Sequence, residues 1–131
     1  LDQLDLSIDE ALAAAGYLVN SGREGGPVAA LKLYEAIGDA DPDDPAALSR
    51  RALILAQVGE RRTASELLDR AVEANPGDAE ALLSRASFLA GSGDAGDVTT
   101  ACGDLGALAA LADAPTPLVE RGEAIAASIC D

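Results

Sequence analysis

Three closely spaced aspartates are the first candidates for chemistry in this chain. Asp39, Asp41 and Asp43 stand at alternate positions, as carboxylates do at the start of a calcium-binding loop. Such a loop also needs a glycine at its sixth position and a bidentate glutamate at its twelfth, where this chain has Asp44 and Arg50. We therefore expect no metal site here and interpret the stretch as a turn between two helices that ends in a helix N-cap.

Groups that could support catalysis are scarce. The chain has no histidine, so the commonest general base near neutral pH and the commonest nitrogen ligand for metals are both missing. Ser49, Ser84 and Ser87 fall on expected helices with no base beside them, and a serine hydroxyl needs an adjacent base to become a nucleophile. No glycine-rich phosphate loop is present. We expect neither an enzyme nor a bound cofactor.

The two cysteines, Cys102 and Cys130, allow two interpretations. As free thiols they would be small, buried, apolar side chains of an intracellular protein; as a disulfide they would pin the last helix and imply an oxidising compartment. The chain has no C-x-x-C motif, so its cysteine spacing does not indicate a redox enzyme. The sequence leaves both interpretations open and slightly favours free thiols in the cytoplasm, whereas a bridged pair would allow a tethered domain outside it.

Charge restricts the partners. The 131 residues, enough for one domain, carry 23 acidic and 9 basic side chains, a net charge of −14. A field of this sign repels phosphate, so we expect no nucleic acid and no direct membrane contact, and it would attract a basic peptide or protein. The alternative is that the acidic surface only keeps an alanine-rich protein in solution.

The elements that would position these residues are all helices. Ser7-x-x-Glu10 has the pattern of a capping box and predicts a helix start, and glycines and prolines then divide the chain repeatedly. Gly38 is expected to end the second helix, and the stretch 91–97 is expected to be a turn. The sequence predicts an all-α fold with helices at about 8–20, 28–37, 46–58, 63–74, 79–90, 98–112 and 117–130.

An internal repeat organises these helices. Pro42 and Pro76 are 34 residues apart, and shifting the chain by that length also superimposes Ala30 on Ala64 and Leu48 on Leu82. A helical repeat of this length indicates a solenoid, in which units that cannot bury their apolar faces alone stack on one another.

The central unit resembles the tetratricopeptide repeat family. Its signature of large, small, glycine, acidic and proline positions is met by Leu48, Ala52, Leu55, Gly59, Glu60, Ala64, Leu68, Ala71 and Pro76. Arg51 is the clear departure from the pattern. The resemblance implies a right-handed α-solenoid of three helix-turn-helix hairpins followed by a C-terminal solvating helix. The implied layout is a single domain, 1–131, with repeats at about 8–44, 45–78 and 79–114 and a capping helix at 117–130.

The resemblance also implies a binding face, because members of this family hold partner chains on the concave side formed by the first helix of each unit. We expect the groove to be shallow, apolar and weakly acidic at its rims. Members that grip a terminal carboxylate use a lysine, arginine and asparagine set; only Asn20 of such a set remains, so no carboxylate clamp is expected. The groove positions are Asp9, Leu12, Gly16, Val19, Asn20, Ala46, Ser49, Leu53, Ala56, Gln57, Glu80, Leu83, Ser87, Ala90 and Gly91.

These observations predict a non-enzymatic scaffold that binds a protein or peptide segment with apolar anchors and basic character. One alternative is an assembly module that stacks on another copy or on a neighbouring domain. Another is a membrane-tethered extracytoplasmic assembly factor, similar in layout to bacterial tetratricopeptide domains that help to mature c-type cytochromes. The groove could also be idle, with Leu12, Leu53 and Leu83 packed against neighbouring helices. The oligomeric state is not predicted.

Overall fold

The computed structural model describes residues 6–130, and every regular element in that range is an α-helix. None of these helices is long and apolar enough to span a bilayer. The helices are α1 (Ile8–Asn20), α2 (Gly26–Ala40), α3 (Pro45–Gln57), α4 (Arg61–Ala74), α5 (Ala79–Ala90), α6 (Ala95–Ala110) and α7 (Thr116–Ile129).

Side-chain caps set most of the helix starts. At α1 the Ser7 hydroxyl accepts a hydrogen bond from the Glu10 N–H at 3.1 Å, and the Glu10 carboxylate accepts one from the Ser7 N–H at 3.1 Å. Asp44 and Asp78, which occupy equivalent positions in successive repeats, each accept a backbone N–H three residues ahead at 2.9 Å. These caps satisfy N–H groups that have no partner within the helix, so the predicted capping box is confirmed.

Two predicted helix boundaries differ from the structure by three residues, the largest differences. α2 does not stop at Gly38 but continues to Ala40, and the Asp41 N–H still donates to the Ile37 carbonyl at 2.7 Å. Ile37 is fully buried, so its packing outweighs the roughly 1 kcal/mol cost of a glycine inside a helix. α6 begins at Ala95, inside the predicted turn, because Asp94 already caps it.

The helices stack as an all-α solenoid. α1 packs on α2, α3 on α4 and α5 on α6 as three successive hairpins, and α2 meets α3 while α4 meets α5. α3 and α5 also pack directly on each other, whereas α1 and α3 make at most marginal contact. α7 closes the array by packing on both helices of the third hairpin. The gap between α1 and α3 is the feature that matters for the candidate site.

Small residues stand where the helices approach most closely. Ala30 and Ala64, one repeat apart, are both fully buried, as are Ala52 and Ala86. Alanine at such crossings lets two backbones come close and gain dense packing. The repeat seen in the sequence is therefore a repeat of helix crossings.

Polar contacts join successive hairpins. Arg50 on α3 forms a bidentate pair with Glu80 on α5, at 2.8 and 3.0 Å. The Asn75 amide donates to the Asp43 carbonyl at 2.7 Å and so ties the end of the second hairpin to its beginning. Of these two links, the Arg50–Glu80 pair is the one that fixes α5 against α3.

α7 is attached to α6 by a disulfide. Cys102 lies on α6 and Cys130 caps the end of α7, with Cα atoms 5.9 Å apart and a bond between the two sulfurs. The described residues contain no free cysteine, so the free-thiol interpretation favoured by the sequence does not describe this structure. At Gly122 the two helices come so close that a Cβ would lie 2.7 Å from Leu108 Cδ2.

Candidate protein-binding groove

The candidate groove consists of two adjoining cavities that share Arg50 and Leu53. Leu53 lies on α3, and 38% of its surface is exposed. It is one of five large apolar residues exposed to this degree among the described residues. Because Leu53 borders both cavities, it stands at the centre of the groove.

The first cavity occupies the gap between α1 and α3 and has a volume of about 370 Å³. α2 closes its base with Tyr34, which is almost completely buried. Two side-chain amides, Asn20 and Gln57, can exchange hydrogen bonds with a peptide backbone there. The full lining is Gly16, Val19, Asn20, Tyr34, Arg50, Leu53, Ile54 and Gln57.

The second cavity, of about 350 Å³, lies between α3, α5 and α7. Its lining combines three leucines with two serines, two arginines and one glutamate. Leu83 contributes to it although only 3% of its surface is exposed. The full lining is Arg50, Leu53, Glu80, Leu83, Ser84, Ser87, Leu118 and Arg121.

Arg50 borders both cavities, and its ion-pair partner Glu80 borders the second. The hydrogen bond to Glu80 raises the pKa of Arg50, so this guanidinium stays charged. Burial raises the pKa of Tyr34, whose phenol is therefore neutral at physiological pH. The charged residues of the groove are Arg50, Arg121 and Glu80. With two arginines and one glutamate, the lining carries a net charge of +1 (2 − 1), whereas the chain as a whole is acidic.

The structure brings eight of the predicted groove positions together in these cavities. They are Gly16, Val19, Asn20, Leu53, Gln57, Glu80, Leu83 and Ser87.

The remaining predicted positions line neither cavity. Ser49 is fully buried, and its hydroxyl has no hydrogen-bond partner. Leu12 packs against the core of the first hairpin, and Ala56 packs against that of the second. Ala46 and Ala90 are half-buried and border no part of the groove, and Asp9 and Gly91 are exposed outside it.

Sequence analysis did not predict six of the lining residues, namely Tyr34, Arg50, Ile54, Ser84, Leu118 and Arg121. Arg50, Ile54 and Ser84 lie on α3 or α5, each next to a predicted position. Tyr34 lies on α2, the second helix of its hairpin. Leu118 and Arg121 belong to α7, which stands where the first helix of a further repeat would stand. Treating α7 as a partial repeat unit is the signal that could have found them.

Two aspartates of the calcium-like stretch, Asp41 and Asp43, make contacts within the turn or to α4. Asp41 accepts a hydrogen bond from the Asp43 N–H at 3.2 Å, and Asp44 caps α3. Asp43 is paired with Arg70 at 3.0 Å. Residues 6–130 contain no group of three or more carboxylate, cysteine or histidine side chains placed to hold a metal ion.

The arrangement defines a class of protein: an all-helical repeat array whose first helices line a groove. The profile of the tetratricopeptide repeat matches residues 23–88, half of the chain, and the chain belongs to that family. Proteins of this family generally mediate protein–protein interactions and are typically non-enzymatic scaffolds. No curated protein and no solved structure matches the chain.

Proposed function

We propose that this protein binds a peptide segment of another protein in the groove, with an apolar side chain as the anchor. The observation that carries the proposal is the pair of cavities on either side of the half-exposed Leu53. A peptide lying across Leu53 would place neighbouring side chains in the two cavities. Burial of its apolar anchor would supply most of the affinity.

The size and polarity of the cavities support a peptide rather than a large cofactor. Each volume is near the lower end of the range for ligand pockets, about 300–1,000 Å³, which leaves room for one or two side chains. The amides of Asn20 and Gln57 at the rim of the first cavity suit an extended backbone, because each amide both donates and accepts hydrogen bonds. Binding of a peptide requires no reactive group in the groove.

Charge supports a partner with basic residues outside the anchor. The net charge of −14 attracts basic segments over long distances, while the groove itself carries two arginines and one glutamate. Apolar residues would therefore occupy the cavities, and basic residues would face the acidic surface around them. This division predicts association rates that fall as the salt concentration rises.

The test is a selection of short random peptides displayed against the wild-type protein, followed by affinity measurement in solution. Leu53→Glu should weaken binding at least tenfold, about 1.4 kcal/mol or more, because it places a charge between two apolar cavities. Val28→Glu is the matched control, since Val28 is exposed and borders neither cavity. Equal affinities of the wild type and Leu53→Glu would reject the groove.

A second candidate is assembly by stacking of the first hairpin on another copy or domain. Tyr17 and Val28, both on that hairpin, expose 66% and 59% of their surfaces. Stacking would bury these two side chains, so Val28→Glu would then disrupt association while Leu53→Glu would not. A monomer in sedimentation velocity at every concentration would count against stacking on another copy.

The disulfide supports an oxidising compartment for either role. The preference for the cytoplasm that followed from free thiols loses its basis, and a tethered extracytoplasmic assembly role gains support. Alkylation of unreduced extracts from the native cells should leave Cys102 and Cys130 unmodified. Modification of both cysteines without prior reduction would contradict this localisation.

A further inference from the structure

α7 forms one wall of the second cavity but has no polar side-chain contact with the other described helices. No side-chain hydrogen bond and no ion pair between residues 6 and 130 joins α7 to another helix. Its links to the rest of the chain are the connection from α6, apolar packing and the bond between Cys102 and Cys130. Side-chain hydrogen bonds and ion pairs therefore do not hold this helix in position.

The apolar packing of α7 is also limited. Gly122 is its one buried residue, and Leu118, Ile125 and Ile129 are only partly buried against the core of the third hairpin. α7 has 14 residues, a length at which an isolated helix is marginal in water. The helix therefore depends on its attachment for stability.

The groove in turn depends on α7. Leu118 and Arg121 form the α7 wall of the second cavity, and Gly122 of α7 lies against Leu105 and Leu108 of α6. Without α7 this cavity would be open on one side, and the leucines of α5 and α6 would face water. The first cavity has no α7 residue in its lining and would be unchanged.

We propose that the Cys102–Cys130 disulfide is a redox-controlled clasp, so that the groove is complete only in the oxidised protein. The clasp concerns the position of α7 and stands on the contacts just described. Its consequence for partner binding rests on the proposed function of the groove. Oxidation would then couple arrival in an oxidising compartment to binding of the partner.

The reaction that opens the clasp is thiol–disulfide exchange with a dithiol reductant. A thiolate of the reductant attacks one cysteine sulfur, the bond between Cys102 and Cys130 breaks, and a mixed disulfide forms with release of the other cysteine as a thiolate. The second thiol of the reductant then displaces the remaining cysteine. Protonation leaves two protein thiols, and the reductant is oxidised to its own disulfide. Neither cysteine is fully buried.

Hydrogen exchange on the full chain tests the clasp directly. Reduction should speed exchange of the α7 amides by about tenfold or more while α3 changes little, since local opening affects one element and not the others. A Cys102→Ala/Cys130→Ala variant should match the reduced wild type and should not respond further to reductant. Unchanged protection of α7 would overturn the proposal. Loss of protection in every helix would also overturn it, because the disulfide would then stabilise the whole fold.

The peptide selected by the oxidised wild type tests the gating of binding. Its affinity should fall at least about fivefold on reduction, because one of the two cavities loses a wall. Equal affinity of the oxidised and reduced forms would overturn the gating. If no peptide binds the oxidised protein, the proposed function fails and the gating fails with it, while hydrogen exchange still decides whether α7 is clasped.

Discussion

Arg85 on α5 grips Asp104 on α6 with two hydrogen bonds, from Nε at 2.8 Å and from Nη2 at 2.7 Å. The side chains are only 16% and 6% exposed, so this is a largely buried, bidentate ion pair. The hydrogen bond to Asp104 raises the pKa of Arg85, and Asp69 on α4 adds a weaker contact at 3.4 Å. One arginine thus joins three helices at the end of the solenoid that carries α7.

Removing the acid of this pair should destabilise the protein strongly. Asp104→Ala should lower the free energy of unfolding by about 3 kcal/mol, because it leaves the buried Arg85 charge without its main partner. Replacing both residues by leucine should recover most of the loss. Urea denaturation measures these differences. Glu66→Ala, which breaks the exposed pair with Arg62, serves as the control and should cost less than about 0.5 kcal/mol.

The buried hydroxyl of Ser49 should be a cost to stability. It has no hydrogen-bond partner, and a buried unsatisfied polar group costs about 1–3 kcal/mol. Ser49→Ala should therefore raise the free energy of unfolding by about 1 kcal/mol and raise the melting temperature. A lower melting temperature would show that the hydroxyl is satisfied in solution.

Two glycines in helices should respond in opposite ways to alanine. A Cβ at Gly26 would overlap the backbone carbonyl of Leu18, which cannot move aside as a side chain would, so Gly26→Ala should cost about 2 kcal/mol or more. Gly103 on α6 has no atom near its Cβ position. Gly103→Ala should therefore stabilise the protein by about 0.5–1 kcal/mol. Thermal denaturation measures the melting temperatures of both variants. A shift of both melting temperatures in the same direction would contradict the packing described at Gly26.

The capping box at α1 should show itself in an acid titration. Hydrogen bonds from the Ser7 N–H and hydroxyl hold the pKa of Glu10 below its ordinary value of 4.5. Because the folded-state pKa is lowered, the cap stabilises α1 fully when the pH is above the ordinary pKa. This contribution disappears as the pH falls through the lowered, folded-state pKa. In Ser7→Ala the pKa of Glu10, followed by NMR, should rise toward 4.5. An unchanged pKa would mean that the serine side chain does not contribute.

Sequence analysis named eight of the residues that line the two cavities, and their role in binding a partner stays a prediction. Leu53, Asn20 and Gln57 were found because they occupy fixed positions in a repeated helix, and repetition transfers a position from one unit to the next. Ser49 was placed in the groove by the same rule, yet it is fully buried. The rule fails here because the exposure of a side chain depends on how far the neighbouring helices lie apart, which the repeat does not specify.

The sequence by itself determined the all-α fold, the repeat family and most helix starts, because caps, turns and the 34-residue spacing act through residues close together in the chain. Tertiary structure alone decided the gap between α1 and α3, the continuation of α2 past Gly38 and the place of α7 beside the groove. It also decided the bond between Cys102 and Cys130. A disulfide needs its two Cα atoms within about 7 Å, and only the packing of α7 on α6 sets the distance between two residues so far apart in the chain.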